Sequence, residues 1–184
     1  MAEADLALLH ARQTCHDFAP EPVDEALLTQ ALEAAIRAPN HHLTNPWRFR
    51  SLGPQTREAV IRANTVLVQT KRGADAGRKK AERWRAIPGW LLVTSLRDHD
   101  PFRSRENYAA CCCAVQNLML AFSALGVGTK WTSGAVTRLP VFPGLVGYAP
   151  EAEDFVGLIW YGWPALETPL SKRQPLSEVW SARP

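Results

Sequence analysis

The amino-acid sequence predicts a single α/β or α+β domain in which helices flank one sheet. Continuous apolar runs of strand length occur at residues 89–96 and 155–161, which is typical of buried strands. Apolar residues recur at helical spacing before Pro39, and residues 106–125 form a long apolar stretch without a helix breaker. Because these strand and helix patterns alternate along the 184 residues, one domain spanning residues 1–184 is expected.

The first third of the chain predicts an amphipathic segment, a helix and a strand. Residues 6–14 form a short amphipathic segment, and Pro20 and Pro22 then impose a non-helical linker. Asp24 is a candidate N-cap for a helix that should end before Pro39. Alternating aromatic and basic residues at 47–52 predict a strand.

The middle of the chain predicts two further helices around a central strand. Residues 56–69 should be helical, whereas 71–85 is dense in Lys and Arg and predicts either a poor solvated helix or a loop. The run at 89–96 reads as a central strand. The segment 106–125, which Gly126 should cap, is apolar almost all round and predicts a helix buried by the core or by a partner subunit.

The last third predicts two strands and an extended arm. Residues 128–134 should form a loop and short strand, and 155–161 a buried strand. The proline-broken segment at about 164–184 carries Leu176, Val179 and Trp180, which are apolar and need a partner. A homodimer closed by this arm would bury them, since oligomers commonly form by two-fold symmetry.

Composition bounds the class of protein. A net charge of +3 is too small to indicate nucleic acid, and neither a secretory signal nor an apolar run of transmembrane length occurs, so a cytoplasmic protein without membrane contact is expected. The consecutive Cys111, Cys112 and Cys113 cannot form a spaced disulfide framework and are interpreted as small buried residues.

The sequence gives only weak support for a metal site, a hydrolase or phosphate-loop motif, or a nucleic-acid surface. The adjacent His41 and His42 would point in different directions, and no H-x-x-x-H pattern supports a metal site. No G-x-S-x-G elbow or phosphate-binding glycine loop occurs. The basic segment 71–85 could contact nucleic-acid phosphates, but Trp84 is its single aromatic residue, so a solvated face is favoured.

Five motifs, in order along almost the whole chain, resemble the FMN-dependent nitroreductases, especially their compact bacterial branch. They are Arg12-Gln-Thr14 with Phe18-Ala-Pro-Glu-Pro-Val23, Arg37-Ala-Pro-Asn-His41 with Asn45-Pro-Trp-Arg-Phe49, Glu106-Asn-Tyr-Ala with Val115-Gln-Asn-Leu118, Leu125-Gly-Val-Gly-Thr-Lys-Trp131-Thr-Ser-Gly134, and Phe155-Val-Gly-Leu with Gly162-Trp-Pro164. The resemblance implies a three-layer α/β/α, α+β fold with a mainly antiparallel sheet, in a homodimer that exchanges its C-terminal arms.

The resemblance also implies a function. FMN would take a hydride from the co-substrate NAD(P)H and pass it, in a ping-pong mechanism, to a small-molecule acceptor such as a nitroaromatic or a quinone. The flavin would carry the chemistry, so no residue need act as acid or base. A protein of the same fold that binds or stores flavin with little turnover is the alternative, because fold does not fix function.

The residues expected to bind FMN fall into three groups. Arg12, Gln13 and Thr14, with Arg173 from the arm, match the phosphate motif. Residues matching Arg37, His41 and Asn45 line the flavin in relatives. Trp131, Thr132, Ser133 and Gly134 are expected beside the ring or from the other subunit.

The motifs also depart from the family pattern. Gln13 stands where the family has a second Arg, so FMN affinity should be lower than usual by about an order of magnitude. Arg37 at a helix end could instead complement the helix dipole, and Trp47 and Trp131 could simply fill core.

Overall fold

The computed structural model describes residues 2–183, with side chains from residue 6 onward. Ten helices and strands are joined by short turns. In chain order they are α1 Ala2–Ala11, α2 Glu25–Ala35, β1 Trp47–Ser51, α3 Pro54–Arg72, α4 Ala74–Arg85, β2 Gly89–Leu96, α5 Pro101–Ala124, β3 Gly128–Thr132, α6 Phe142–Val146 and β4 Glu153–Gly162.

The four strands form one sheet in the order β1-β2-β4-β3, and every neighbouring pair is antiparallel. β2 and β4 are therefore central, as the two apolar runs predicted, while β1 and β3 lie at opposite edges. An α+β fold with a mainly antiparallel sheet is thus confirmed.

Helices cover both faces of the sheet. Because side chains alternate along a strand, Leu91 and Val93 of β2 face one layer while Trp90 and Leu92 face the other. The first layer contains α2 and α5, and the second contains α3, α4 and α6. Each layer has its own apolar core, so the sheet is buried on both faces.

Local signals explain where the helices begin. Asp24 caps α2, as predicted, by accepting a hydrogen bond from the backbone N–H of Ala26 at 2.8 Å. Asp100 caps α5 in the same way, and Pro101 occupies its first position. α5 therefore starts at Pro101, five residues earlier than the predicted start at residue 106.

Residues 71–85, for which the sequence left a helix and a loop both open, are helical. Lys71 and Arg72 end α3, and the remainder after Gly73 forms α4. α4 packs against α3 through the buried Gly77, Ala81 and Trp84. The side chain of Gln69 in α3 lies where a Cβ at Gly77 would stand, so the glycine permits the close approach of the two helices. Most basic residues of α4 are exposed, whereas Lys80 is half-buried.

The central helix α5 is only partly buried, which corrects the expectation for the three cysteines. Cys111 is fully buried, Cys112 is half-buried and Cys113 is exposed. Burial raises the pKa of the Cys111 thiol to about 11, which makes it unreactive. One face of the helix stays open; it consists of Phe102, Arg105, Ala109, Cys113 and Gln116.

Both ends of the chain run beside β3. Thr14 forms a parallel bridge with Thr129, and Phe18 forms an antiparallel bridge with Pro164. Residues 164–171 follow this N-terminal segment, and residues 172–183 are exposed throughout. Within the described part of the chain, no helix is long and apolar enough to span a membrane.

Candidate functional site

The turn between α2 and β1 carries the first group of predicted site residues, Arg37, His41 and Asn45, which we call the turn group. His41 Nδ1 lies 2.8 Å from Glu106 Oε1 on the first third of α5. The imidazole of His41 stacks on that of His42 with ring centroids 3.9 Å apart. Arg37 is exposed at the end of α2 and forms no ion pair with any side chain of residues 6–183.

The turn has an unusual backbone. His42, Leu43 and Asn45 all have positive φ, of 60°, 50° and 47°, although none is glycine. Such residues cost roughly 1–2 kcal/mol each and cluster at functional sites. Asn40 stabilises the turn, because its Oδ1 accepts from the backbone N–H of Asn45 at 2.7 Å and its Nδ2 donates to Thr44 at 3.0 Å.

A buried residue ties the turn to α5 and the sheet. The Thr44 hydroxyl donates to Asn107 Oδ1 at 2.6 Å, and Asn107 Nδ2 donates to the backbone carbonyl of Leu96 at 3.2 Å. Asn107 is only 4% exposed, so these bonds satisfy a buried amide. The strained turn is therefore attached to α5 and to β2 through Asn107, while His41, His42 and Leu43 are exposed.

Two residues of the second group line a cavity of about 430 Å³ at the other end of α5, which we call the Arg12 cavity, whereas Thr14 and Arg173 do not line it. Arg12 and Gln13 line it, together with Ser123, residues 126–129 and residues 164–168 of the arm. Arg12 forms no ion pair with any described carboxylate, although Glu167 is part of the lining. A guanidinium without a partner in a cavity of this size is suited to an anion.

Gln13 and Thr14 have partners of their own. Gln13 Oε1 accepts from the backbone N–H and the hydroxyl of Ser171, at 3.0 and 3.1 Å. This contact holds the arm against the N-terminal segment. Arg173 follows Ser171 by two residues along the arm. The backbone of Thr14 pairs with Thr129, so it stands at the edge of the sheet beside the same cavity.

The third group, Trp131 to Gly134, follows the same sheet edge. Trp131 and Thr132 end β3, and Ser133 and Gly134 lead into the next turn. The Trp131 indole N–H donates to the backbone carbonyl of Val156 at 3.0 Å, and its ring occupies the space where Gly157 has no side chain. The ring is nevertheless 37% exposed, so it is partly packing and partly surface.

The chain does not bring its three groups into one cavity. His41 contacts Glu106 and Arg12 shares its cavity with Ser123, and these two positions of α5 are separated by about 25 Å at 1.5 Å per residue. The turn group leads into β1, whereas Trp131 stands on β3, which is three strand spacings or about 14 Å away. Arg12, Gln13, Thr14 and Trp131 share one sheet edge, and the turn group lies at the other.

Two candidates were missed by the sequence reasoning. Glu106 is the partner of His41, and its place in a family-like motif was the available signal. Leu43 is 78% exposed and held at positive φ in the middle of the turn. A lone apolar residue inside His-His-Leu-Thr-Asn was the sequence signal for Leu43, but its orientation depends on backbone geometry. Among the described residues, no cluster of three His, Cys, Asp or Glu side chains could hold a metal ion.

Comparison with known proteins places this geometry in a family. The model of the "Nitroreductase family" matches residues 9–163. "Putative NAD(P)H nitroreductase YfhC" of Bacillus subtilis (strain 168) is 28% identical over 175 residues, which cover 93% of this chain and 90% of that protein.

Solved structures share the fold. A nitroreductase-like family protein from Bacillus cereus superposes with a TM-score of 0.85 at 25% identity, covering 97% of this chain and 95% of that one. A "putative nitroreductase in complex with fmn" from Desulfovibrio desulfuricans gives a TM-score of 0.77 at 23% identity, covering 97% and 96%. Because the family model covers most of the sequence and the antiparallel fold agrees, this chain belongs to the nitroreductase family.

Proposed function

We propose that this protein is a homodimeric FMN-dependent oxidoreductase, one domain of residues 1–184, that uses NAD(P)H to reduce a small acceptor such as a nitroaromatic or a quinone. The Bacillus subtilis relative is named for NAD(P)H, and the Desulfovibrio desulfuricans neighbour was crystallised with FMN. The single observation that carries the proposal is the Arg12 cavity, where a guanidinium that pairs with no carboxylate of residues 6–183 stands beside the sheet edge that carries Trp131.

The Arg12 cavity fits the phosphate end of FMN. Arg12 would give the phosphate charge-assisted hydrogen bonds, and the hydroxyl of Thr14 would add another. Arg173 would enter from the arm, whose position Gln13 fixes through Ser171. From this cavity, β3 leads to Trp131 and Gly134, so the isoalloxazine would extend along the same sheet edge.

The turn group would come from the other subunit. Arg37, His41 and Asn45 stand at the opposite end of α5 and the opposite edge of the sheet, beyond the reach of a ligand anchored at Arg12. A suitably placed two-fold axis would bring the turn group of one chain beside the Arg12 cavity of its copy, and would form two equivalent sites in the dimer. The site would then be incomplete in a single chain.

The apolar surfaces of the chain support this assembly. The open face of α5 places the small Ala109 and Cys113 at its centre and the 67% exposed Phe102 at its end, which permits close approach of a second helix. On the arm, Leu170, Leu176 and Trp180 are each at least 66% exposed. Exchange of the arms would bury them, since exposed apolar patches of this kind mark interaction surfaces.

The flavin would supply hydride transfer, and the chain would supply binding and orientation. Arg12, Thr14 and Arg173 would anchor the phosphate, while Trp131 would offer one flat apolar surface. From the partner, Asn45 would hydrogen-bond with the polar edge of the ring, and the exposed Leu43 would exclude water above it.

A visible absorption spectrum of the purified protein tests the proposal. We expect a flavin spectrum after incubation with FMN, bleached by NADPH or NADH and restored by a quinone. The Arg12→Gln variant should bind FMN about tenfold more weakly or worse, because it loses a charge-assisted contact. As a matched control, Arg62→Gln removes an exposed charge on α3, away from the cavity, and should bind FMN normally. Protein that stays colourless with excess FMN would contradict the proposal.

A flavin-binding protein with little turnover is the second candidate. The observation that favours it is that Gln13, in place of a second cation, is already engaged by Ser171. Steady NAD(P)H oxidation with a quinone separates the two functions, because a storage protein would bleach once and then stop.

A further inference from the structure

A second cationic cavity, of about 250 Å³, lies between α3 and α4, and none of the residues assigned to FMN lines it. Its lining combines four basic side chains with two small apolar ones and contains no carboxylate. The lining residues are Val68, Arg72, Ala76, Lys79, Lys80 and Arg83. We call it the α3–α4 cavity.

Charge around this cavity is left unneutralised, unlike elsewhere on α4. Arg78 pairs with Asp75 at 2.8 Å and Arg85 with Glu58 at 2.7 Å, both outside the cavity. Of the cavity's own cations Arg83 pairs with Asp17 at 2.9 Å, while the other three have no carboxylate within 4.0 Å among residues 6–183. Those three are Arg72, Lys79 and Lys80.

The imbalance is local. Residues 71–85 contain seven basic and two acidic side chains and carry a charge of +5, although the whole chain carries +3. The remaining residues therefore carry −2, and the positive charge of the protein is concentrated on this helix pair. Such a field attracts anions and speeds their association.

Lys80 is held in place despite its like-charged neighbours. Its ammonium lies 5.6 Å from the centroid of the Trp84 ring, which is itself packed against Trp90 and Trp160. Burial lowers the pKa of Lys80, and the positive charges of Arg83 and Arg72 lower it further. An anion in the cavity would offset the repulsion between these positive charges, because all the basic side chains would attract it.

We propose that the α3–α4 cavity binds a phosphate-bearing small molecule, with the phosphate held by Arg72, Lys79 and Lys80. Guanidinium and ammonium donors that line one cavity are suited to phosphate oxygens. The volume suits a phosphate or pyrophosphate with part of a sugar, against the apolar side chains of Val68 and Ala76.

Single-stranded nucleic acid fits the cavity less well. Binding of that kind relies on exposed aromatic side chains on which bases stack. Trp84, the one aromatic residue of the basic segment, is only 6% exposed and faces the core. The basic residues also surround a concave site rather than follow a continuous stripe.

Calorimetric titration with pyrophosphate tests the proposal in the full-length protein. We expect saturable binding that the double substitution Arg72→Gln with Lys79→Gln weakens by about tenfold or more. The control Lys71→Gln removes one charge from the same segment but outside the cavity, and should change affinity by less than about twofold. Both altered positions are exposed, so thermal unfolding should confirm that the variants fold.

The Arg12→Gln variant separates this site from the proposed FMN site. Pyrophosphate affinity should be unchanged in Arg12→Gln if it binds between α3 and α4, whatever the outcome for flavin. Titration with NADP⁺ and NAD⁺ then identifies the source of the phosphate. Tighter binding of NADP⁺ than of NAD⁺, lost in the double variant, indicates a pyridine nucleotide. Equally weak binding of NADP⁺ and NAD⁺ indicates a free phosphate compound.

Three results would overturn the proposal. They are the absence of measurable pyrophosphate binding at millimolar concentration, equal weakening by Lys71→Gln and by the double substitution, and retention of RNA that pyrophosphate does not displace. The second result would indicate diffuse surface charge, and the third a nucleic-acid surface.

Discussion

Gln13 and Ser171 join the two ends of the chain: the side-chain oxygen of Gln13 accepts hydrogen bonds from both the backbone N–H and the hydroxyl of Ser171. A cation at position 13 could not accept these bonds. The replacement of the family's second Arg therefore exchanges a possible phosphate contact for an anchor of the arm. The anchor lies next to the cavity that Arg12 lines.

Removing this anchor should loosen the arm without unfolding the domain. In Gln13→Ala we expect faster proteolysis and faster amide exchange at residues 166–176, because an exposed segment loses both of its hydrogen bonds. The unfolding free energy should fall by less than about 1.5 kcal/mol. Gln55→Ala, at an exposed position in the first turn of α3, is the matched control and should leave the arm protected. Equal protection in both variants would show that Gln13 does not hold the arm.

The separation of Arg12 from the turn group predicts complementation between damaged subunits. Arg12→Gln and Arg37→Gln should each lose most FMN binding, because each removes a cationic contact from every site. In a dimer formed by one chain of each variant, one site combines both substitutions and the other has neither. Random mixing should therefore restore about one site in four, since half of the dimers are mixed.

FMN fluorescence quenching in co-refolded mixtures measures this recovery. Refolded single variants are the baseline, and a mixture of wild-type protein with the double variant Arg12→Gln with Arg37→Gln is the control. A site built within one chain gives no recovery for the mixed single variants, because both sites of each mixed dimer would remain damaged. That outcome would remove the argument for a shared site.

A partly buried ion pair predicts how stability depends on pH. Arg50 donates two hydrogen bonds to Glu153, at 2.8 and 2.6 Å, and Thr94 donates a third. The hydrogen bonds from Arg50 lower the pKa of Glu153 below its usual value of 4.5, against the opposing effect of burial. The charged carboxylate therefore stabilises the fold above pH 4.5, and this contribution is lost as pH falls through the lowered pKa.

Glu153→Gln should accordingly destabilise the protein at neutral pH by on the order of 2–4 kcal/mol, because it leaves Arg50 without its partner. The difference from wild type should shrink as pH falls below 4.5. Urea unfolding at several pH values measures it. Asp154→Asn breaks the more exposed pair with Arg97 and should cost about 1 kcal/mol or less. An equal cost at both positions would contradict the assignment.

The sequence predicted the elements whose pattern is local and strong. The apolar runs of β2 and β4, the Asp24 cap and the central helix were all recognisable, because strand periodicity and capping act over a few residues. For α4 the sequence left a poor helix and a loop both open, since its buried face consists of only Gly77, Ala81 and Trp84 among many charges. α6 was missed, because five residues are too few for a periodic signal.

The sequence predicted individual residues of the candidate site but not their relative positions in the fold. Motif resemblance identified Arg12 and His41, yet their placement at opposite ends of α5 depends on long-range packing that no local pattern encodes. The positive φ of Leu43 was equally hidden, because left-handed conformations outside glycine are imposed by surrounding contacts. In this turn, those contacts come from Asn40.

Glu167 predicts that the affinity for FMN can be increased. Its side chain lines the same cavity as Arg12, so its negative charge opposes any phosphate bound there. Glu167→Gln keeps the size of the side chain and removes the charge, so FMN should bind about three- to tenfold more tightly at low ionic strength. The gain should diminish in high salt, because Glu167 is exposed and its field is screened.

Titration of flavin fluorescence at two salt concentrations measures the effect of Glu167→Gln. Glu178→Gln makes the same change further along the arm, outside the cavity lining, and should leave FMN affinity unchanged. An equal gain in both variants would indicate a general effect of net charge. If affinity instead falls in Glu167→Gln, the carboxylate must be orienting Arg12 rather than competing for it, and the phosphate would have to bind elsewhere in the cavity.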